Sequence, residues 1–193
     1  MLSQSYVPKG QARKQVDALC GMASLDLMTA NAEIRQASDA DLEALVAAMG
    51  QRDHFTDRLA RQRDGRGVLL VAWLDGRPVG NGSLSWEPAD NPEIRRHLPG
   101  VPELGHLEVV GPLWGRGIGT ALVRAAEATA RQFGHDRLIL AVGVDNPNAR
   151  RLSERLGYVD WDHGTIVGTW VERGPDGAPL TLSETCHVLV KHL

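Results

Sequence analysis

The apolar positions of this chain change period several times, and each change marks an element. Leu42, Leu45, Val46 and Met49 recur at helical spacing behind Ser38-Asp39-Ala40-Asp41, whose side chains suit a helix N-terminus. A second helical piece covers about Asp53 to Gln62. Val68 to Leu74 and Val79 to Trp86 read as strands, and Asp75-Gly76-Arg77-Pro78 between them reads as a hairpin turn. A short strand, Glu33 to Gln36, precedes them. From Glu87 to Pro102 the prolines at 88, 92, 99 and 102 predict a long irregular surface loop. The pattern then gives a strand over about 103–110, a helix over 118–132, and an apolar strand from Arg137 to Val144 suited to burial on both faces. Asn146-Pro147-Asn148 opens a helix through Leu156 that stops at Gly157. Two last strands, roughly Tyr158 to Val171 and Leu182 to Val190, flank the turn-rich Glu172-Arg173-Gly174-Pro175-Asp176-Gly177. Residues 1–30 are weakly patterned and read as an extension, with Val16, Leu19, Cys20 and Ala23 on one face of a short helix.

This order, with a strand-loop-helix-strand unit at its centre, predicts an α/β fold of the mixed-sheet α+β type in a single domain over 31–193. With 193 residues and 42% hydrophobic content the chain is large enough for one real core. The net charge of -3, without any Lys/Arg cluster, argues against nucleic acid as a partner, because such binding needs concentrated positive charge. No stretch approaches the roughly 20 apolar residues that cross a bilayer, so no membrane association is expected and a cytoplasmic location is. Cys20 and Cys186 are too few and too distant for a disulfide framework. The histidines at 54, 97, 106, 135, 163, 187 and 192 lack metal-ligand spacing, so no metal is expected.

Trp114-Gly115-Arg116-Gly117-Ile118-Gly119-Thr120 carries the most chemistry. Glycines at alternate positions let main-chain N–H groups close on an anion, and the helix that follows adds unpaired N–H groups and a favourable dipole. A pyrophosphate is the natural guest. A dinucleotide-binding reading fails on spacing, since G-x-G-x-x-G is absent and no N-terminal βαβ unit precedes the loop.

Taken with the strand before it (Leu107-Glu108-Val109-Val110) and with Asn146-Pro147-Asn148-Ala149 through Leu156-Gly157-Tyr158, this loop resembles the GCN5-related N-acetyltransferase (GNAT) superfamily. The resemblance covers about 33 to 193. It implies a sheet of about six to seven strands splayed between strands 4 and 5 and flanked by about four helices. It also implies acetyl-CoA as co-substrate, its pyrophosphate held by the amides of Gly115, Gly117, Gly119 and Thr120 within the loop Trp114, Arg116, Ile118. Val109 and Val110 would offer main-chain groups to the pantetheine arm, and Asn146 with Ala149 would line the far side of the gap. Two positions depart from the family pattern: Trp114 replaces an Arg or Gln, and Ser153 replaces the tyrosine that many members use to protonate the leaving thiolate. A thiol with a pKa of about 8.5 is already a tolerable leaving group.

Acetylating an amine requires a neutral nitrogen, hence a base near strand 4. Glu103 sits where many family members carry a glutamate and ranks first, Glu108 second and His106 third. Simple alternation puts Glu103 on the face of Gly105 and Leu107, and His106 and Glu108 on the other unless a bulge intervenes. Cys186 alternates into an apolar strand and reads as a buried thiol, Arg95-Arg96 as a solvated pair, and Trp86, Trp161 and Trp170 as core or cleft. The loop over 87–103, with Glu87, Asp90, Glu93 and Glu103, reads as an acidic lid favouring a cationic amine. The acceptor is expected to be a small-molecule or peptide amine, and the final hairpin and the extension are candidate homodimer surfaces. A non-catalytic acyl-CoA-binding module on the same fold is the competing reading, kept open by Ser153.

Overall fold

Ser38 opens the first helical segment, and the reason is visible in its bonds. Asp41 accepts the Ser38 backbone N–H at 2.7 Å and its hydroxyl at 2.9 Å, while Arg35 donates to both carboxylate oxygens at 2.9 and 2.7 Å. This closes a capping box between a strand and a helix. The structure, a computed structural model, describes residues 32–173 and 178–193, so the helical face expected around Val16 to Ala23 and the tip of the last turn lie outside the described residues.

The elements run β1 (Glu33–Gln36), a 3-10 turn (Asp39–Asp41), α1 (Leu42–Met49), α2 (Arg52–Arg63), β2 (Gly67–Leu74), β3 (Arg77–Ser85), α3 (Pro92–His97), β4 (Glu103–Val109), a 3-10 turn (Gly111–Leu113), α4 (Ile118–Gln132), β5 (Arg137–Gly143), α5 (Pro147–Arg155), β6 (Val159–Arg173) and β7 (Pro179–His192). The strands form one seven-stranded sheet in the order β1-β2-β3-β4-β5-β7-β6. All neighbours are antiparallel except β4 and β5, which run parallel and pair only at Glu103↔Ile139. Beyond that pair the two strands part, giving the splay that the resemblance implied. Among the described residues no helix is long and apolar enough to cross a membrane.

Alternation along β2 divides the core between the two faces. Val68, Leu70 and Ala72 join Leu104, Leu138, Leu140 and Leu189 beneath α4, whose Ile118, Leu122, Val123, Ala126 and Ala130 form one apolar stripe. Each of the fully buried leucines contributes roughly 2 kcal/mol. Leu69 and Val71 point the other way and pack with Leu45, Phe55 and Leu59 of α1 and α2. A third cluster on that second face joins Ile94 and Val101 to Ile139, Trp161, Ile166, Cys186 and Val188. β4 therefore runs between two packed groups, with α2 on one side and the α3 segment on the other.

That α3 segment corrects the expectation of an irregular loop over 87–102. Asn91 accepts the N–H groups of Glu93 at 2.9 Å and Ile94 at 3.4 Å, Pro92 takes the first helical turn, and Ile94 is buried. Arg95 and Arg96 are exposed, as a solvated pair would be, and Arg95 also donates to the carbonyls of Ala89 at 2.6 Å and Asp90 at 2.7 Å, tying the helix to the residues before it.

Candidate active site

The glycine loop has the local geometry that its sequence demands. Gly115 and Gly117 have φ of 77° and 83°, values that L side chains rarely adopt. Gly117 is the N-cap of α4 and brings no side-chain cap, so the first-turn amides of Ile118, Gly119 and Thr120 point out of the helix end without a partner within it. Gly119 approaches α5: a Cβ there would stand 3.4 Å from Leu152 Cδ2. An uncapped helix start behind left-handed glycines fits a diphosphate.

The strand leading into the loop is partly committed. The Val110 N–H donates to Val79 at 3.0 Å, so it already belongs to the sheet and is not open to a ligand. Trp114 is 71% exposed, yet its indole N–H donates to the Val109 carbonyl at 2.6 Å. The side chain standing where the family has Arg or Gln thus folds back on the strand end. Across the splay, Asn146 accepts the Ala149 N–H at 3.1 Å and caps α5.

β4, which carries the candidate bases, is bulged. Ser83 pairs with Gly105 and Asn81 with Glu108, so β4 spends one residue more than β3 between these pairs. The extra residue falls at His106, whose φ is 50°. Leu104, Leu107 and Val109 pack beneath α4. Glu103, His106 and Glu108 turn to the opposite face, which settles the parity that simple alternation left split. His106 stacks on His54 of α2 with ring centroids 3.8 Å apart. Its Nε2 lies 3.5 Å from Glu108 Oε2, which also accepts from Gln51 Nε2 at 3.1 Å. Glu103, at the start of the strand, is within electrostatic reach of Arg58 on α2 and of Cys186 on β7. His54, Gln51 and Arg58 were not singled out from sequence. Their signal was weak, because α2 has little apolar patterning, and nothing local ties them to a strand fifty residues away.

Other polar and titratable residues singled out from sequence are bonded or buried. Ser153 is 2% exposed and donates its hydroxyl to the Ala149 carbonyl at 3.0 Å, so its proton is engaged within its own helix. The ring of Tyr158 is buried under α4, and burial together with Glu127 pushes its phenol above the ordinary range. Cys186 is fully buried, and burial aided by Glu184 pushes its thiol up to about 11. Glu184 is itself raised, by burial and by Asp145. In the expected lid, Glu87 is neutralised by Arg61 at 2.7 Å and Arg66 at 3.0 Å. His97 and His163 stack at 3.8 Å beside Trp161. Among the described residues no group of His, Cys, Asp and Glu is arranged to hold a metal ion.

Comparison with known proteins agrees with this architecture. The profile of the acetyltransferase (GNAT) family matches residues 31–158. An uncharacterized N-acetyltransferase from Methanocaldococcus jannaschii is 34% identical over 120 residues, 62% of this chain, and the chain spans about half of that relative's length, 49%. A ribosomal-protein-alanine N-acetyltransferase from Brucella melitensis is 26% identical and superposes with a TM-score of 0.59, covering 83% of this chain and 99% of its own. The PaiA N-acetyltransferase from Thermoplasma acidophilum, solved in complex with coenzyme A, is 16% identical with a TM-score of 0.58, covering 84% and 99%. With its splayed seven-stranded mixed sheet, its glycine loop at the head of α4 and the profile match over most of its length, the chain belongs to the acetyltransferase (GNAT) family.

Proposed function

We propose that this chain is an acetyl-CoA-dependent N-acetyltransferase that acetylates a primary amine by direct attack, with both substrates bound together. The observation that carries the reading is the bulge at His106: it turns Glu103, His106 and Glu108 to one face, away from α4 and beside the parting of β4 from β5. Proton acceptors are thereby gathered where an amine meets a thioester lying in the gap. Acetyl-CoA supplies an acetyl group activated by its sulfur. Gly115, Gly117, Gly119 and Thr120 would hold the diphosphate with their amides, Val109 would meet the pantetheine arm, and the head of α5 at Asn146 and Ala149 would bound the far side. Coenzyme A in the Thermoplasma relative supports this assignment.

The face between α2 and α3 receives the acceptor, a small-molecule or peptide amine. Glu103 and Glu108 favour an ammonium arriving from water, which must shed a proton before it can attack. The domain doing this comprises residues 31–193, preceded by an extension.

One observation favours a second reading. The Ser153 hydroxyl, which stands where many family members carry a tyrosine acid, is bonded to the Ala149 carbonyl in its own helix. An acyl-CoA-binding module without catalysis would have the same loop. Incubating the protein with acetyl-CoA and a panel of primary amines, and following free thiol, separates the two. Amine-dependent release supports the transferase, whereas binding without release for every amine selects the module.

A further inference from the structure

Two of the four non-glycine residues with left-handed backbone among the described residues, Gln51 at φ 56° and His106 at φ 50°, converge on one carboxylate. The other two, Asp75 and Asp162, lie in the β2–β3 turn and in the irregular stretch of β6. Such backbone costs free energy and persists where its surroundings hold it, so a pair of outliers meeting at a polar cluster points to function. Gln51 is the N-cap of α2, and its amide donates to Glu108 Oε2 at 3.1 Å. His106 brings its Nε2 to 3.5 Å from the same oxygen. That separation is just outside hydrogen-bond length, as catalytic bonds often are before substrate binds. On the other side of the His106 ring lies His54, stacked at 3.8 Å with a 31° tilt, and the Nε2 atoms of both rings are buried without a hydrogen-bond partner.

We propose, building on the acetyltransferase reading, that His106 is the base that takes the amine's proton, that Glu108, steadied by Gln51, orients it, and that His54 is the positioning residue that holds its ring. The Glu108 carboxylate, 3.5 Å from Nε2, favours the tautomer with hydrogen on Nε2 and the lone pair on Nδ1. The amine nitrogen forms the C–N bond, the C–S bond breaks with its electron pair going to sulfur, and the proton shed by nitrogen goes to His106, which returns it to the thiolate or to water. His54 can sit against this ring because it carries no charge. Burial, with His106 and Arg58 adding to it, pushes it down to about 2. A charged His54 would oppose the proton arriving on its neighbour. Arg58 on α2 also lies within electrostatic reach of His54, and Asp57, Arg61, Asp90 and Glu103 lie within reach of Arg58.

The test pairs kinetics with a spectroscopic measurement. His106→Ala should lower kcat on the order of a hundredfold or more, and imidazole added to the buffer should restore part of it. His54→Phe, which keeps a flat ring, should retain most of kcat, while His54→Ala loses about tenfold with the KM for acetyl-CoA unchanged. Imidazole should not rescue His54→Ala. Damage in His54→Phe equal to that in His54→Ala, or a His106→Ala variant as active as wild type, overturns the assignment. Independently of turnover, nitrogen NMR of labelled histidine in the unliganded protein should show His106 with hydrogen on Nε2, and Glu108→Gln should disturb that tautomer. Hydrogen on Nδ1, or no response to Glu108→Gln, overturns it as well. A wild type that releases no thiol with any amine would defeat the acetyltransferase reading, and the tautomer would still decide whether the Glu108–His106 pairing exists.

Discussion

At the scale of single residues, Ser153 carries a hydroxyl already bonded within its own helix. Its proton is spent on Ala149, four residues back in the same helix. Ser153→Ala should therefore leave kcat within about twofold of wild type, measured as thiol release with the best amine, and a tenfold loss would return it to the acid's role. Gly117 makes the opposite case. With φ at 83° any side chain is strained, although nothing crowds the position of a Cβ. Gly117→Ala should cost about 1 kcal/mol in denaturant unfolding and weaken acetyl-CoA binding on the order of tenfold, because the cradle is set by that backbone. Wild-type affinity in this variant would show that the loop's shape does not hold the ligand. The need for these glycines could be read in the sequence. The use of Trp114 could not, since its bond to Val109 depends on the path of the chain between them.

Among the elements, what could be read follows from what is local. The strands and α4 were legible because their apolar spacing is regular and their ends are marked by Gly, Asn-Pro or Ser-x-x-Asp. The helix at Pro92 begins with Asn91-Pro92, the same signal that was read correctly at Asn146-Pro147, but it was masked by the prolines around it. The bulge at His106 leaves no mark in the sequence: it is fixed by the register of β4 against β3, and it decided which face the candidate bases occupy. The capping box on the 3-10 turn that leads into α1 offers a direct test of element energetics. Arg35 above all, with the Ser38 N–H and hydroxyl, holds Asp41 well below the usual carboxylate range. A depressed carboxyl stabilises the fold fully above about pH 4, and that contribution fades as pH falls below it. Asp41→Asn should cost about 1 kcal/mol at pH 7, and the difference from wild type should shrink in melts below pH 4. A gap that stays constant with pH would mean that charge has no part in the cap.

In the molecule as a whole, two helical layers press on a sheet that opens between β4 and β5, and at the end of β5 stand a half-buried Glu184 and an exposed Asp145. Glu184 lies over Gly143, the last residue of β5, where a Cβ would collide with its carboxyl group. Burial first and Asp145 second push that carboxyl above its usual range. The sign is the reverse of that for Asp41. Stability associated with protonated Glu184 is present at low pH and is lost as pH rises through its ionisation. Glu184→Gln should melt higher than wild type at pH 8 and at the same temperature near pH 4, and a lower melting temperature at pH 8 would refute this account of the site.

The central claim is that the amides at the start of α4 grip the diphosphate of a thioester-bearing coenzyme. Calorimetric titration of the wild-type protein with acetyl-CoA, and in parallel with S-acetylpantetheine, which has the thioester arm and no diphosphate, tests it most directly. The account predicts saturable binding of acetyl-CoA at one per chain, with S-acetylpantetheine far weaker. Equal affinity for the two, or no heat from either, would contradict it.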